Sequence, residues 1–215
     1  MIPHADVVIP VKKLTQSKTR LSDTLSLEQR EELVLVMLED VLASLHKSNL
    51  IDQIVVVTPD RIVADHATDF DAKTIIDSDS YDINESLAKV RTRGSLPLLV
   101  LPVDVPLIKA DTIDTIIRKV ENPCDATVVV SPSKTNGTNA LLRNPPDIIP
   151  TRFGANSFDA HANEAKLRGT RLVVYRSEDL EIDVDTPLDL HEVIKKGDST
   201  RTSRFLRTIL RTTSN

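Results

Sequence analysis

Three acids and a group of cations occupy positions where charge is hard to explain by packing alone. Lys12, Lys13, Lys18 and Arg20 fall within nine residues, interleaved with Thr15, Ser17, Thr19 and Ser22, directly after the apolar run ADVVIPV at 5–11. Arginine grips phosphate through two parallel N–H donors and lysine supplies a compact point charge, so this segment reads as a polyphosphate cradle built from side chains. The plainer reading is a solvated loop. Asp104 follows LLVLPV, and Asp183 and Asp185 sit two apart in EIDVDTP. On an extended segment residues i and i+2 point the same way. Carboxylate oxygens of this kind suit one or two Mg²⁺ ions, and a metal clamp suits in-line displacement at phosphorus. Asp104 as a turn cap and Asp185 as the N-cap ahead of Pro187 are the bland alternatives.

Two further segments carry small and polar groups. NGTNAL at 136–141 adjoins an expected strand, and RFGANSF at 152–158 leads into a helix start, where Gly154 permits close backbone approach. Free N–H groups near Ser157 would favour an anion, although a plain turn or cap explains the same residues. The five histidines show no metal-ligand spacing, and His161 and His191 read as structural or surface residues on helices. Cys124 is the only cysteine, so the chain has neither an intrachain disulfide nor a cysteine-cluster metal site, and the residue reads as inert.

The elements that would position these residues alternate. Strands are expected at 5–11, 54–58, 73–77, 98–103, 126–132, 139–143 and 171–176. Helices are expected at 26–49, 62–69, 83–92, 111–120, 157–168 and 187–196. Ser26 and Gln29 fit a capping box at the first helix, Asp111 an N-cap, and Pro187 the first position of its helix. Continuous apolar strands separated by helices predict an α/β fold: three layers, α/β/α, around a mostly parallel mixed sheet. Ligands in such folds bind at the carboxyl ends of the strands, which is where the cations and Asp104 stand. Five glycines, none in the first 93 residues, exclude both a P-loop and a GxGxxG dinucleotide turn. Any nucleotide must be held by another device.

Composition narrows the class further. The 215 residues carry a net charge of −5 and 3% aromatics, against a general nucleic-acid binder or a base-stacking platform. No apolar run approaches the ~20 residues of a membrane span, and the N-terminus lacks the pattern of a signal peptide, so a cytoplasmic protein is expected.

The segments PVKKLTQSKTRL, SDSYDINESLAKV, LPVDVPL, NGTNALL, FGANSFDAHANEA and DVDTPLDL occur in this order. Together they resemble the 2-phospho-L-lactate guanylyltransferase family, which serves biosynthesis of the deazaflavin coenzyme of methanogens and some actinobacteria. The likeness spans residues 5 to 194, and the GTNALL and FGxxSFxxH pair is its most specific part. It implies a GT-A-like nucleotidyltransferase fold and a homodimer. It also implies transfer of GMP from GTP to a phosphorylated three-carbon acid, with loss of pyrophosphate. By this resemblance Asp104, Asp183 and Asp185 would bind Mg²⁺, and Asp104 and Lys18 would be catalytic. Lys12, Leu14, Lys18, Arg20, Asn84 and Ser86 would meet the nucleotide, and Thr138, Gly154 and Ser157 the phospho-acid.

Two rival readings stand beside it: a related nucleotidyltransferase with another acceptor, and a non-catalytic nucleotide-binding domain. The domain is expected to cover 1–197. Residues 198–215 form a basic, amphipathic tail in which Phe205, Leu206, Ile209 and Leu210 make one stripe among four arginines. That stripe would dock on its own domain, stay disordered, or form a subunit contact.

Overall fold

The computed structural model describes residues 3–78, 82–91 and 96–212. Seven strands form one sheet, β1 (Ala5–Pro10), β2 (Ile51–Thr58), β3 (Lys73–Ile76), β4 (Leu98–Val100), β5 (Thr127–Pro132), β6 (Thr138–Asn144) and β7 (Arg171–Val174), in the order β3-β2-β1-β4-β6-β5-β7. All neighbours run parallel except β6, which is antiparallel to both β4 and β5. The helices are α1 (Leu27–Leu45), α2 (Arg61–Asp69), α3 (Ile83–Lys89), α4 (Ala110–Arg118), α5 (Ser157–Leu167), α6 (Pro187–Lys196) and α7 (Arg201–Thr212).

Alternation along the strands divides the core. Val7, Ile9, Leu99 and Leu101 face a large cluster built with α1, α2, α4, α6 and α7. Val8, Val55, Leu98 and Val100 face a smaller one built with α3, α5 and the 148–153 segment. Both sheet faces are therefore covered, as the continuous apolar runs require.

Several boundaries differ from expectation for local reasons. β4 stops at Val100 rather than 103, because Pro102 has no N–H to continue the ladder, although Leu101 still donates to the Val8 carbonyl at 3.0 Å. Lys109, not Asp111, is the N-cap of α4, and its N–H donates to Asp179 at 2.9 Å. Ser26 and Gln29 do form the capping box of α1. Thr186 rather than Asp185 caps α6, with Asp189 accepting from the Thr186 N–H at 2.6 Å and hydroxyl at 2.8 Å. That arrangement releases the Asp185 carboxylate for other partners. Within the motif at 78–90, residues 79–81 lie outside the described residues.

The C-terminal stripe docks on its own chain. Leu206 is fully buried, and Phe205, Ile209 and Leu210 pack against the larger core. Asp40 of α1 caps α7 from outside, accepting from the N–H groups of Arg201 and Thr202 at 2.9 and 2.8 Å and from the Thr202 hydroxyl at 2.7 Å. A helix this short is marginal alone, and these contacts supply what it lacks. The stripe thus packs against its own chain, with Leu206 fully buried and Phe205, Ile209 and Leu210 partly so.

Candidate active site at the strand ends

The loop after β1 makes two 3-10 turns, Leu14–Gln16 and Thr19–Leu21, and between them Lys18 takes a left-handed conformation with φ of 54°. This is unfavourable for a residue with a Cβ, of order 1 kcal/mol, and such strain collects where a side chain must be aimed. Here it aims the Lys18 ammonium at the acids beyond β4 and β7. Nζ lies 2.5 Å from Asp104 Oδ1 and 3.2 Å from Asp185 Oδ1, and donates to the Val184 carbonyl at 2.6 Å. The Val184 N–H in turn donates to the Asp104 carbonyl at 2.9 Å, tying the two acid-bearing loops together. Arg20 reaches Asp185 at 3.5 Å.

Burial would lower the Lys18 pKa, but Asp104 and Asp185 outweigh it and the pKa is raised, so the side chain is a fixed cation. Asp183 shows the opposite imbalance. Burial raises its pKa most, and the charges of Asp185, Asp104 and Asp189 raise it further.

A cleft of about 330 Å³ opens over this cluster, lined by Lys12, Lys18, Arg20, Asp104 and Asp185. An adjoining one of about 360 Å³ shares Pro10, Val11, Lys12, Gln16 and Ile83, and continues past Lys13, Asp82 and Ser86. Together they make a groove with Lys18, Arg20, Asp104 and Asp185 at one end and Lys13, Asp82 and Ser86 among apolar walls at the other, with room for a nucleoside triphosphate.

The donor set partly fits a divalent cation. Among the described residues no three His, Cys, Asp or Glu side chains form a preformed cation cage, because Lys18 stands between Asp104 and Asp185. Of the three carboxylates expected from sequence, Asp104 and Asp185 are ion-paired with Lys18, and Asp185 also with Arg20. Asp183 has no ion-pair partner among the described residues, and with Asp104 it supplies hard oxygens and surplus negative charge. Two carboxylates suffice for Mg²⁺, which takes its remaining ligands from water and phosphates.

A second cluster, neutral and enclosed, lies beside β6. Opposite β6, Ser131 pairs with Ala140 but Pro132 pairs with Thr138, leaving Asn139 as an extra, bulged residue. A bulge redirects the side chains that follow it. Asn139 turns to the Leu180 carbonyl at 2.6 Å, and Thr138 turns toward α5. There the Ser157 hydroxyl donates to Thr138 Oγ1 at 3.1 Å, and His161 Nδ1 lies 3.0 Å from the same oxygen. The approach to α5 holds Gly154 at φ of 144°, a conformation that glycine tolerates and other residues rarely adopt. Asn136 locks the 133–138 turn onto this helix start, donating to Asp159 at 2.8 Å and accepting the Phe158 N–H through its carbonyl at 3.1 Å.

Two residues expected at the nucleotide do not line either cleft. Leu14 is buried in the core, and its N–H is taken by Asp60 at 3.0 Å. Asn84 clamps the acceptor-side loop: its Oδ1 accepts the Phe153 N–H at 2.8 Å and its Nδ2 donates to the Phe153 carbonyl at 3.0 Å. His161, read from sequence as structural or surface, is fully buried and bonded to Thr138. The signal was present in its spacing, since Ser157 and His161 are four apart and share one helix face.

A mostly parallel α/β sheet with cations and acids converging at its strand ends, and an enclosed polar cluster beside them, defines a nucleotidyltransferase-type architecture. Solved structures agree on the fold. One from Desulfovibrio desulfuricans named for nucleotide-diphospho-sugar transfer superposes with a TM-score of 0.73 at 13% identity, covering 96% of this chain and 95% of that one. A nucleotidyl transferase from Methanothermobacter gives 0.64 at 14%, covering 95% and 99%. The model of the family described as "Guanylyl transferase CofC like" matches residues 5–214, and the chain belongs to that family. Among its relatives are a phosphoenolpyruvate guanylyltransferase from Sphaerobacter thermophilus, 35% identical over 86% of this chain and 90% of the relative. A 2-phospho-L-lactate guanylyltransferase from Methanothermobacter thermautotrophicus is 35% identical over 93% and 88%.

Proposed function

We propose that this chain transfers the guanylyl group of GTP to a phosphorylated three-carbon acid, 2-phospho-L-lactate or phosphoenolpyruvate, in deazaflavin coenzyme biosynthesis. The observation that carries this reading is the pairing of two unlike clusters at one rim. Lys18, Arg20, Asp104 and Asp185 form a charged site for a triphosphate, and Thr138 and Ser157 form a neutral site for a small anion. An oxygen of the acceptor phosphate attacks the α-phosphorus of GTP. The bond from that phosphorus to the bridging oxygen breaks, and pyrophosphate leaves with the electron pair. The attacking phosphate is already ionised near neutral pH, so no general base is needed. Catalysis is then positioning and electrostatics.

Lys18 and Arg20 bind the triphosphate oxygens, and Lys12 and Ser86 line its groove. Thr138, Ser157 and the backbone at Gly154 receive the acid. Asp104 and Asp183 would hold Mg²⁺, whose charge offsets that of the α-phosphate and leaving group. The test is incubation with GTP, Mg²⁺ and each acid separately, with pyrophosphate release and product mass as readouts. A dinucleotide-like GMP adduct of one or both acids is expected. Absence of pyrophosphate with either acid would overturn the reading, and release with a different phosphorylated acceptor would favour the related-transferase alternative.

A further inference from the structure

We propose that His161 is a positioning residue that makes the Thr138 hydroxyl an obligate hydrogen-bond donor toward the bound acid. This rests on the acceptor-site reading above and goes beyond it. His161 Nε2 accepts the backbone N–H of Arg152 at 2.8 Å, so that nitrogen carries a lone pair and the ring proton of the neutral imidazole sits on Nδ1. Nδ1 lies 3.0 Å from Thr138 Oγ1 and therefore donates to it. The Ser157 hydroxyl donates to the same oxygen at 3.1 Å. With two donors on Thr138 Oγ1, its own proton is directed away from both and is left for a third partner. The opposite tautomer would draw the Thr138 proton onto Nδ1 and leave no donor for a ligand. It would also set two N–H groups, those of Arg152 and Nε2, against each other.

All three side chains are enclosed, Thr138 at 5%, Ser157 at 2% and His161 at 0% exposure, so water does not readily substitute for a missing partner. A hydroxyl held as a donor suits an anion and disfavours a donor-bearing ligand, so the cluster selects for the carboxylate or phosphate of the acid. The Arg152 link places the lock on the same short loop as Gly154, and Asn84 fixes that loop at Phe153 from the other side. A shift of the loop would release the tautomer and the donor together.

The experiment is a double-mutant cycle of Thr138→Val and His161→Leu, read as KM for the acid, KM for GTP and kcat. Each single variant is expected to raise the acid's KM about tenfold with KM for GTP and kcat within about twofold, and the double variant to be no worse than either. Additive effects, or an equal rise in KM for GTP, would overturn the role of His161. If Thr138→Val alone leaves the acid's KM unchanged, the acceptor-site reading fails instead. A long-range proton–nitrogen NMR spectrum of the unaltered protein at neutral pH reads the tautomer directly, whether or not the leucine variant folds. A proton on Nδ1 supports the lock, and a proton on Nε2 overturns it.

Discussion

The two clusters at the rim solve opposite problems. Around Lys18 the protein gathers charge: one buried cation, a neighbouring arginine and three acids, with the loops meeting through the Val184–Asp104 hydrogen bond. Around Thr138 it gathers neutral side chains, because burial and the nearby cations Arg143 and Arg152 keep His161 uncharged. On the proposed reading, charge balance would recognise a triphosphate with its metal, and the direction of a few donors a small acid. The difference predicts that substitutions in the first cluster damage turnover, whereas those in the second shift affinity for one substrate.

The largest effect should come from Asp104→Asn. Removing a carboxylate from Lys18 and from the proposed Mg²⁺ site is expected to lower kcat about a thousandfold, ~4 kcal/mol, with circular dichroism unchanged. A rate within tenfold of the unaltered protein would remove Asp104 from the machinery.

The second cluster has its own signature in acid. His161 has a pKa lowered to about 4, through burial first and then the charges of Arg143 and Arg152. A histidine whose folded pKa lies below its unfolded value contributes stability that is full above about 6.5 and is lost as pH falls toward the folded value. Between pH 7 and 4 this group alone should remove about 3 kcal/mol of unfolding free energy. Carboxylates titrate in the same window, so the check is denaturant unfolding of His161→Leu beside the unaltered protein. The variant should lose less stability on acidification, and parallel curves would refute the assignment.

Lys18→Met sharpens the contrast from the charged side. It should reduce kcat/KM for GTP about a hundredfold, ~2.7 kcal/mol, and leave the acid's KM nearly unchanged. A loss seen mainly in the acid's KM would merge the two clusters into one. Ser157→Ala should give the smallest change, a rise of about tenfold in the acid's KM, ~1.4 kcal/mol. KM for GTP should move less than twofold, as measured by initial rates with each substrate varied in turn.

Legibility in the sequence followed burial and distance along the chain. Asp104 stood out because an acid ending an apolar run is hard to place otherwise. The sheet was readable from continuous strands, and the capping box at Ser26 from local spacing. The partner of Asp104 was not readable, since Lys18 reaches it only through a left-handed turn and across 86 positions. Asn84 and Leu14 sit near the groove in sequence, but tertiary bonds to Phe153 and Asp60 take their polar groups. The spacing of His161 places it beside Ser157, but its bond to Thr138 was not readable, because the bulge at Asn139 that turns Thr138 toward it comes from strand register and not from composition.

The single reversed strand has a consequence for how such a protein can change. Because β6 runs against its neighbours, its first residue, rather than its last, reaches the rim where β1 and β4 end. Apart from Asp185, the candidate groove for the nucleotide is lined from the first half of the chain, whereas Thr138, Gly154, Ser157 and His161 lie within one stretch of 24 residues in the second. That stretch behaves as a cassette. Exchange of residues 133–161 between relatives would transplant a preference for one acid over another while the machinery for the nucleotide is inherited untouched.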